Sequence, residues 1–505
     1  MQRKENRFFS AMPPIFSVML STVFGMILLL LVLGRPWLRQ YYANQSLLSD
    51  AMLLPFALAG IAALYALCRA WKRPAADTKR SLWMLRALFL LVLAVQFVIA
   101  RSCWYKMGWD IYNVYTMAEE LGLGKPLTEP EYFQLCPNNA PLTMLQAVPM
   151  WFAGKLGLAV PFVVLPYIDA VLLNASAYVT VRTVQTMTRS RTARMFALVV
   201  SIGWIALSPY ILYPYTDTFS ILFPVLAVYA YLRIERPFVK WLVISLLCFF
   251  GATVKPTVLI VLIAMVILGL CRWLSQMDFS AASLKRVLVV GAAIIIGMFP
   301  GKIFQDKSTE YLAGSAVPQG QLSATHYLML GMNGDTFGGH SPDDVTFSTS
   351  FETLEERQAA NIRRAWERLT QRSLPENAKF FAVKAYKAYA DGSFASHQSF
   401  LEFETPKRTD ALSKLLRDFY HDDGRFVPYC QTIVQCLWLG VLILCAVAAV
   451  RMRRHPAVSL LALTLLGVTA YLLLFEVWPR YLFLYAPLFV ALSAMAFDRP
   501  LSVKR

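Results

Sequence analysis

The sequence predicts an all-α polytopic membrane protein with about 12 transmembrane helices. Hydrophobic residues make up 57% of the 505 residues, and the mean hydropathy is +0.50. Long apolar runs recur on both sides of one hydrophilic region, and a run of about 18 or more apolar residues can cross a bilayer as a helix. Lysine and arginine concentrate in alternate short connections between these runs, which is typical of a multi-pass protein. These observations exclude a soluble fold.

Twelve stretches qualify as candidate spans. The first follows a short basic N-terminus, but it is too long for a signal peptide and no small-residue cleavage site follows it, so we expect it to be retained. The run 239–254 is short, and Lys255-Pro256 is a natural break between two spans. The candidate spans are 14–33, 51–70, 83–100, 160–181, 195–212, 217–233, 239–254, 256–272, 287–303, 430–450, 457–475 and 480–497.

Topology explains the basic charge of the chain, which is +17. With the N-terminus in the cytoplasm, the segments on that side hold 25 lysines and arginines against 5 acids. No nucleic acid is therefore needed as a partner. We expect a multi-pass protein of the cytoplasmic membrane, with both termini cytoplasmic and an extracytoplasmic active site. The cytoplasmic segments are 1–13, 69–86, 182–194, 233–240, 272–286, 451–456 and 498–505.

Two stretches outside the spans are expected on the extracytoplasmic side. Residues 142–157 are short for a span and contain Pro149, so we predict a helix that lies along the membrane interface. Residues 304–429 contain 17 acids and 14 bases, and we predict a large α-rich region there, with a charged helix near 352–371. The predicted organisation is an N-terminal transmembrane hairpin (1–82), a transmembrane core (83–303) with a catalytic outer loop (101–159), the large loop region (304–429) and C-terminal transmembrane helices (430–505).

The stretch 101–141 is longer than a connection between two spans requires. It is rich in aromatic residues, which favour the membrane–water interface. Asp110 lies in it, just past the end of a predicted span. A single carboxylate placed there can act as a general base on an acceptor hydroxyl that attacks a sugar C1 with inversion. The alternative role of Asp110 is to cap a helix that begins near Ile111.

Four further charged residues lie at predicted outer ends of spans. Asp217 could face the same outer cavity, or it could cap a helix that begins at Thr218. Lys255 could bind a phosphate, or its side chain could extend along the protein to the outer interface. Arg480 could bind a phosphate with two parallel hydrogen bonds, or it could form a surface ion pair with Glu476.

The large hydrophilic region adds a Gly-rich stretch, residues 326–340. Within it, Asp335 or His340 could contact a sugar, although loops of this composition are often only turns. A divalent metal at His340, Asp343 and Asp344 is an alternative, but their spacing matches no familiar ligand pattern.

The eight cysteines are scattered and form no CxxC pair, which argues against a metal or redox site. Cys103 and Cys136 share the first outer loop and could pair, although spacing alone does not establish disulfide geometry.

The layout resembles the GT-C class of integral-membrane glycosyltransferases. An acid lies in the first large outer loop (GWDIYNVY), and an aromatic-Pro-polar stretch follows it (YFQLCPNNAPL). A short outer loop (YPYTDT) precedes a span, VKPT separates two spans, and an Arg-Tyr pair opens the return of the last hairpin. The resemblance covers most of residues 83–497. It is closest to bacterial envelope members related to the protein O-mannosyltransferase and aminoarabinose transferase group.

The resemblance implies an enzyme that transfers a monosaccharide from a polyprenyl-phosphate donor to an envelope glycan or glycolipid. Asp110 would be the base, and Lys255 and Arg480 would hold the donor phosphate. Asn138 and Asn139 stand where O-mannosyltransferases carry His-Pro-Pro, which argues against a protein acceptor. No cofactor is implied, and such donors generally need no metal. The expected substrate contacts are Asp217, Asn138, Asn139, His340, Asp335 and Glu476.

Other classes of function remain open. A polysaccharide polymerase or ligase would also have many spans and one large outer loop, and it would depend on arginine and histidine in that loop. A transporter or flippase of lipid-linked sugars would place charged residues at the bilayer midplane and would show two similar halves, which the sequence does not show. A purely structural membrane scaffold is a third alternative.

Overall fold

The structure is a computed structural model that describes residues 6–70, 79–397, 402–404 and 408–498. These residues are mostly helical, with short 3-10 segments and one antiparallel pair of strands, β1 Lys106–Met107 and β2 Glu402–Glu404. The α-helices are α1 Arg7–Leu33, α2 Arg35–Leu38, α3 Asp50–Ala70, α4 Lys79–Cys103, α5 Trp109–Gly122, α6 Tyr132–Leu135, α7 Ala140–Lys155, α8 Val164–Met187, α9 Arg191–Val200, α10 Thr216–Ser220, α11 Leu222–Arg233, α12 Pro237–Val254, α13 Leu259–Gln276, α14 Ala281–Ala313, α15 Ala324–Gly331, α16 Pro342–Thr349, α17 Leu354–Thr370, α18 Leu374–Tyr389, α19 Ala411–Tyr420, α20 Val427–Arg451, α21 Pro456–Leu474 and α22 Ala486–Ala494.

The prediction of an all-α polytopic membrane protein is confirmed. Among the described residues, 11 helical stretches are long and apolar enough to cross a bilayer, and each overlaps one of the 12 predicted spans. The remaining predicted span, 217–233, is divided into two helices, α10 and α11, which are 5 and 12 residues long. This broken stretch packs against α8 and α12 inside the bundle.

Burial separates lipid-facing helices from the centre of the bundle. In α4, only 22% of the 18 most apolar consecutive residues are buried, and Leu90 and Leu91 are exposed, as expected of side chains that face lipid. In the stretch Pro479–Phe497, 83% of the corresponding 18 residues are buried. Its helix α22 packs against α8, α9 and α20. Arg480 lies at the start of this stretch, so a well-buried segment holds its backbone.

A helix is present where the interface helix was predicted: the bounds of α7 match residues 142–157 to within two residues. It is 16 residues long and packs mainly against α5, the helix that carries Asp110. The contact is close because Gly122 faces the α7 backbone: a Cβ atom there would lie 2.8 Å from Trp151 N and 3.0 Å from Ala147 O. The pair α5–α7 therefore forms one rigid support for Asp110.

Replacing Gly122 by alanine should push α5 away from α7. Because both close atoms are backbone, we expect a destabilisation of about 1–3 kcal/mol, typical of overpacking. The thermal midpoint of detergent-solubilised protein measures this effect. Gly124→Ala is a poor control because its φ is +68°, whereas Gly60→Ala in α3 meets open space and should leave the midpoint unchanged or raised. An unchanged midpoint in Gly122→Ala would show that the two helices are not in close contact.

The hydrophilic region begins later than predicted, because α14 continues as one helix to Ala313 rather than ending at residue 303. The charged stretch 352–371 is a helix, α17, and its first turn is closed by a capping box between Thr353 and Glu356. Helices α15 and α17 share a small apolar core, and α18 packs against α1 and α21. We call the side of the bundle that carries α5–α7 and the described residues of 314–397 and 408–426 the loop-rich end.

Residues 390–397 enter the bundle from this end as irregular chain. Their backbone carbonyls accept hydrogen bonds from Trp204 Nε1 (2.9 Å) and from the hydroxyls of Tyr210 and Tyr213 (both 2.7 Å). Irregular backbone is tolerated at such depth where protein groups satisfy it. The bonds fix the connection before α10, and with it Asp217.

Candidate functional site

Asp110 lies in the first turn of α5, but it does not cap that helix. The helix begins at Trp109 and its N-cap is Gly108, so the prediction of a helix starting near Ile111 with an Asp110 cap is wrong by two residues. The residue is exposed at the loop-rich end. The positive end of the helix dipole favours a carboxylate in this turn. Asp110 is therefore an accessible anion on a rigid helix.

Tyr132 connects Asp110 to the asparagine pair of the same loop. Its hydroxyl donates to Asp110 Oδ1 over 2.9 Å and accepts from Asn139 Nδ2 over 2.5 Å. Burial, with the nearby Tyr215 and Asp110, raises the pKa of Tyr132 well above its usual value, so it keeps its proton. Asn138 Nδ2 donates to Asn139 Oδ1 over 3.3 Å, while Asn138 Oδ1 is buried without a hydrogen-bond partner. That oxygen can accept a ligand donor.

Asp217 and Lys255 form a buried ion pair. Asp217 is in the first turn of α10, whose N-cap is Tyr215, so the predicted capping role is wrong. Lys255 Nζ contacts Asp217 Oδ1, and both side chains are less than 10% exposed. Lys255 is the extended residue between α12 and the turn at Pro256, as the break in the sequence predicted. Because it points to Asp217, Lys255 does not extend to the interface.

Arg480 connects this ion pair to the Asp110 loop. Its Nη1 lies 4.0 Å from Asp217 Oδ2, and its side chain is 20% exposed. Its guanidinium lies 5.4 Å from the ring of Tyr215 and 5.3 Å from that of Tyr481, within cation–π range. Tyr215 OH in turn donates to Asn139 Oδ1 over 3.5 Å. A continuous set of contacts thus runs from Asp110 to Lys255.

Glu476 lies beside this set and is not paired with Arg480. Glu476 accepts a hydrogen bond from Tyr481 OH over 2.6 Å. The side chains of Glu476 and Arg480, both of which the structure describes, form no ion pair within 4.0 Å. The proposed surface pair of Glu476 and Arg480 is therefore absent. Lys255 Nζ lies 4.5 Å from the ring of Tyr481, so this tyrosine contacts all three charged side chains.

Asp335 and His340 are exposed on the Gly-rich loop between α15 and α16. The loop reaches the site through its backbone, since Gly338 O accepts from Val477 N over 2.8 Å. The loop backbone thus lies against the Glu476 segment, while the two exposed side chains do not join the contact set. Asp344 is occupied by Arg368 (2.6 Å), and the described residues contain no metal-binding group of three or more side chains.

The sequence reasoning missed three residues. Tyr132 and Tyr215 connect Asp110 to Arg480 through Asn139. The only signal for these two tyrosines in the sequence was their place beside the acidic motifs. Asp169 lies inside α8, fully buried, and neither carboxylate oxygen has a hydrogen-bond partner. An acid within an apolar span is by default a functional candidate, so the sequence did contain this signal.

Comparison with known proteins places most of the chain in one family. Residues 10–501 match the model of a family described as conserved hypothetical integral membrane protein. No curated protein and no solved structure matches the chain.

Proposed function

We propose that this chain, which belongs to that family of conserved hypothetical integral membrane proteins, is a membrane glycosyltransferase. It would transfer a monosaccharide from a polyprenyl-phosphate donor to an extracytoplasmic envelope glycan or glycolipid, with inversion. One observation carries the proposal: an exposed carboxylate, Asp110, and a partly exposed cation, Arg480, belong to one contact set at the loop-rich end of the bundle.

Asp110 supplies the base. It takes the proton of the acceptor hydroxyl as the acceptor oxygen bonds to C1 of the sugar. The bond between C1 and the phosphate oxygen breaks, and its electron pair leaves with polyprenyl phosphate. No acid is needed on the leaving group, because phosphate is already a good leaving group. Tyr132 holds Asp110 Oδ1, and Oδ2 remains for the acceptor.

Arg480 and Lys255 stabilise the phosphate. The donor is a phosphodiester with one negative charge, and the product is a monoester with up to two, so charge develops on the phosphate during transfer. Asp217 is in direct contact with Lys255 and lies 4.0 Å from Arg480 Nη1, and the Arg480 side chain is the more exposed of the two cations, so Arg480 is the one more accessible to the phosphate. The guanidinium can bind two phosphate oxygens in parallel. Asp217, Asn138, Asn139, Glu476, Asp335 and His340 then contact the sugars or position these groups.

The membrane location follows from the donor. A polyprenyl tail must stay in the bilayer while its phosphate reaches the surface, which suits a site at the ends of helices. The distribution of lysine and arginine favours the extracytoplasmic side for the loop-rich end. Residues 314–426 would bind the acceptor there. The mechanism uses no metal and no cofactor, and positioning and charge stabilisation supply the rate.

The test is release of polyprenyl phosphate. Purified protein in proteoliposomes is mixed with a panel of polyprenyl-phosphate sugars and with envelope glycans or glycolipids. Release that requires both an acceptor and Asp110 supports the proposal and names the donor sugar. Absence of release with every donor contradicts it. In that case, lipid-linked oligosaccharides are supplied as substrates, and their transfer would identify a polysaccharide polymerase or ligase.

A transporter of lipid-linked sugars is a second candidate, favoured by Asp169. A buried acid without a partner in a span is a feature of proton-coupled transport. Movement of a fluorescent lipid-linked sugar across the bilayer, lost in Asp169→Asn and kept in Asp110→Asn, would favour the transporter over the enzyme.

Tyr132→Phe should lower the turnover number for transfer about tenfold. The change removes one hydrogen bond to the base and one from Asn139, and a bond to a charged group contributes about 1.5–3 kcal/mol. Steady-state transfer rates measure the effect, with Tyr311→Phe as the control because that ring is 67% exposed on α14. Wild-type turnover in Tyr132→Phe would mean that Asp110 needs no support from this hydroxyl.

A further inference from the structure

Helix α18 carries two buried lysines, Lys384 and Lys387. Lys384 is 0% exposed and Lys387 is 8% exposed. Within the part of the chain that the structure describes, neither lies within 4.0 Å of an acidic side chain. Buried lysines are rare unless paired. An apolar side chain of similar length would fill the same space without burying an amino group. We therefore ask what the two amino groups bind.

The amino groups bind backbone carbonyls of two different segments. Lys384 Nζ donates to Gly331 O over 2.6 Å and to Phe475 O over 2.7 Å. Gly331 ends α15, and Phe475 is the residue that follows α21. Lys387 Nζ donates to Thr336 O over 2.8 Å, farther along the same Gly-rich loop. Lys384 thus joins the hydrophilic region to the membrane bundle.

Two glycines allow these segments to approach. A Cβ atom on Gly331 would collide with Leu474 O, which is backbone. A Cβ atom on Gly338 would lie 2.7 Å from Lys384 Cε, and the φ of Gly338 is +72°, which favours glycine. Gly338 O accepts from Val477 N over 2.8 Å. The loop, the lysine and the chain after α21 therefore form one close junction.

We infer that Lys384 is a positioning residue that docks the Gly-rich loop onto Phe475–Val477 and so fixes Glu476 and Arg480 at the site. The chain from Phe475 to Arg480 has no α-helix of its own before Pro479, so its place depends on such contacts. The consequence for sugar transfer rests on the proposed function, whereas the docking itself does not.

The electrostatics of the junction give it a pH dependence. Burial, together with Lys387 and Arg372, lowers the pKa of Lys384 to about 7, while Glu476 opposes the shift. Burial lowers the pKa of Lys387 to about 8. A neutral amine keeps two N–H groups, enough for the two carbonyls that Lys384 binds. Among the described residues, Lys387, Arg372 before α18 and Glu476 after α21 are the charged groups that act on the pKa of Lys384.

The difference in proton binding between the docked and open states gives the direction in which docking changes with pH. When the junction opens, Lys384 regains its ordinary pKa, 10.5, and so binds more protons than in the docked state between about pH 7 and 10.5. Docking is therefore strengthened as the pH rises above about 7, and it is weakest below that pH. Lys387 acts in the same direction above about pH 8.

Hydrogen exchange of the amides in 331–340 and 475–481 tests the inference in nanodiscs. After correction for intrinsic exchange, wild-type protection should rise roughly tenfold or more from pH 7 to pH 9. Lys384→Met should lower protection at pH 9 and flatten its pH dependence. Lys379→Met, an exposed lysine of the same helix, should behave as wild type. Wild-type protection of both segments in Lys384→Met at pH 9 overturns the inference.

Two further readouts separate this inference from the proposed function. If Lys384→Met does not fold, Gly338→Ala decides instead: its Cβ would lie 2.7 Å from Lys384 Cε at a φ of +72°, so protection of 475–481 should fall, and wild-type protection in this variant would overturn the docking role. In the transfer assay, Lys384→Met should raise the KM for the donor and lower kcat. The exchange result without any release of polyprenyl phosphate by wild type would support the junction and contradict the glycosyltransferase. Impaired transfer with unchanged exchange would contradict the junction alone.

Discussion

Asp110→Asn should reduce sugar transfer by roughly a hundredfold or more while the protein still folds. The amide has nearly the same shape as the carboxylate, and it can still accept from Tyr132, but it cannot take a proton from the acceptor. General-base catalysis contributes about 10²–10⁴-fold to a rate, and loss of the base removes that factor. Release of polyprenyl phosphate, measured at saturating donor and acceptor, gives the loss in kcat.

The matched control is Glu129→Gln, which removes an exposed acid from the same loop. It should transfer at the wild-type rate. A variant Asp110→Asn that turns over within a few-fold of wild type would eliminate Asp110 as the base. Equal loss in both variants would point to the charge of the loop instead of to one carboxylate.

Arg480→Ala should raise the KM for the polyprenyl-phosphate donor by roughly 10- to 100-fold and change the KM for the acceptor little. The estimate corresponds to loss of hydrogen bonds to a charged group, each contributing about 1.5–3 kcal/mol. Because charge develops on the phosphate during transfer, kcat should fall as well. Initial rates over a matrix of donor and acceptor concentrations separate these effects. Lys307→Ala removes an exposed cation of α14 and serves as the control.

The role of Lys255 must be tested with a double variant, because Asp217 is its ion-pair partner. Lys255→Met alone removes the direct partner of the buried Asp217 and leaves only Arg480, whose Nη1 lies 4.0 Å from Asp217 Oδ2. Loss of one partner of a buried pair typically costs about 3–5 kcal/mol, so poor folding is expected. The double variant Lys255→Met, Asp217→Asn removes both charges and should recover much of that stability. If the double variant folds and keeps the wild-type donor KM, Lys255 does not bind the phosphate. If the donor KM is also unchanged in Arg480→Ala, the proposal that Arg480 and Lys255 bind the donor phosphate is wrong.

The sequence predicted the membrane class and most of the spans because length and hydropathy are local properties. It also singled out Asp110, Asp217, Lys255, Glu476 and Arg480, since charge at the edge of an apolar run is visible without a fold. The capping roles of Asp110 and Asp217 were wrong because a helix start depends on backbone geometry at the preceding residues. Residues 217–233 have the composition of a span, yet the chain breaks near Ile221.

Pairings were decided by the tertiary structure. Asp217 and Lys255 are 38 residues apart in the chain and meet only because α10 and the end of α12 pack together. Tyr132 and Tyr215 became site residues through their hydrogen bonds, which no local pattern encodes. The role of Lys384 likewise required the carbonyl of Phe475, 91 residues away. The sequence by itself determined which stretches are apolar enough to cross a bilayer, because transfer free energies add along the chain, whereas the folded bundle decided which polar groups meet at its loop-rich end.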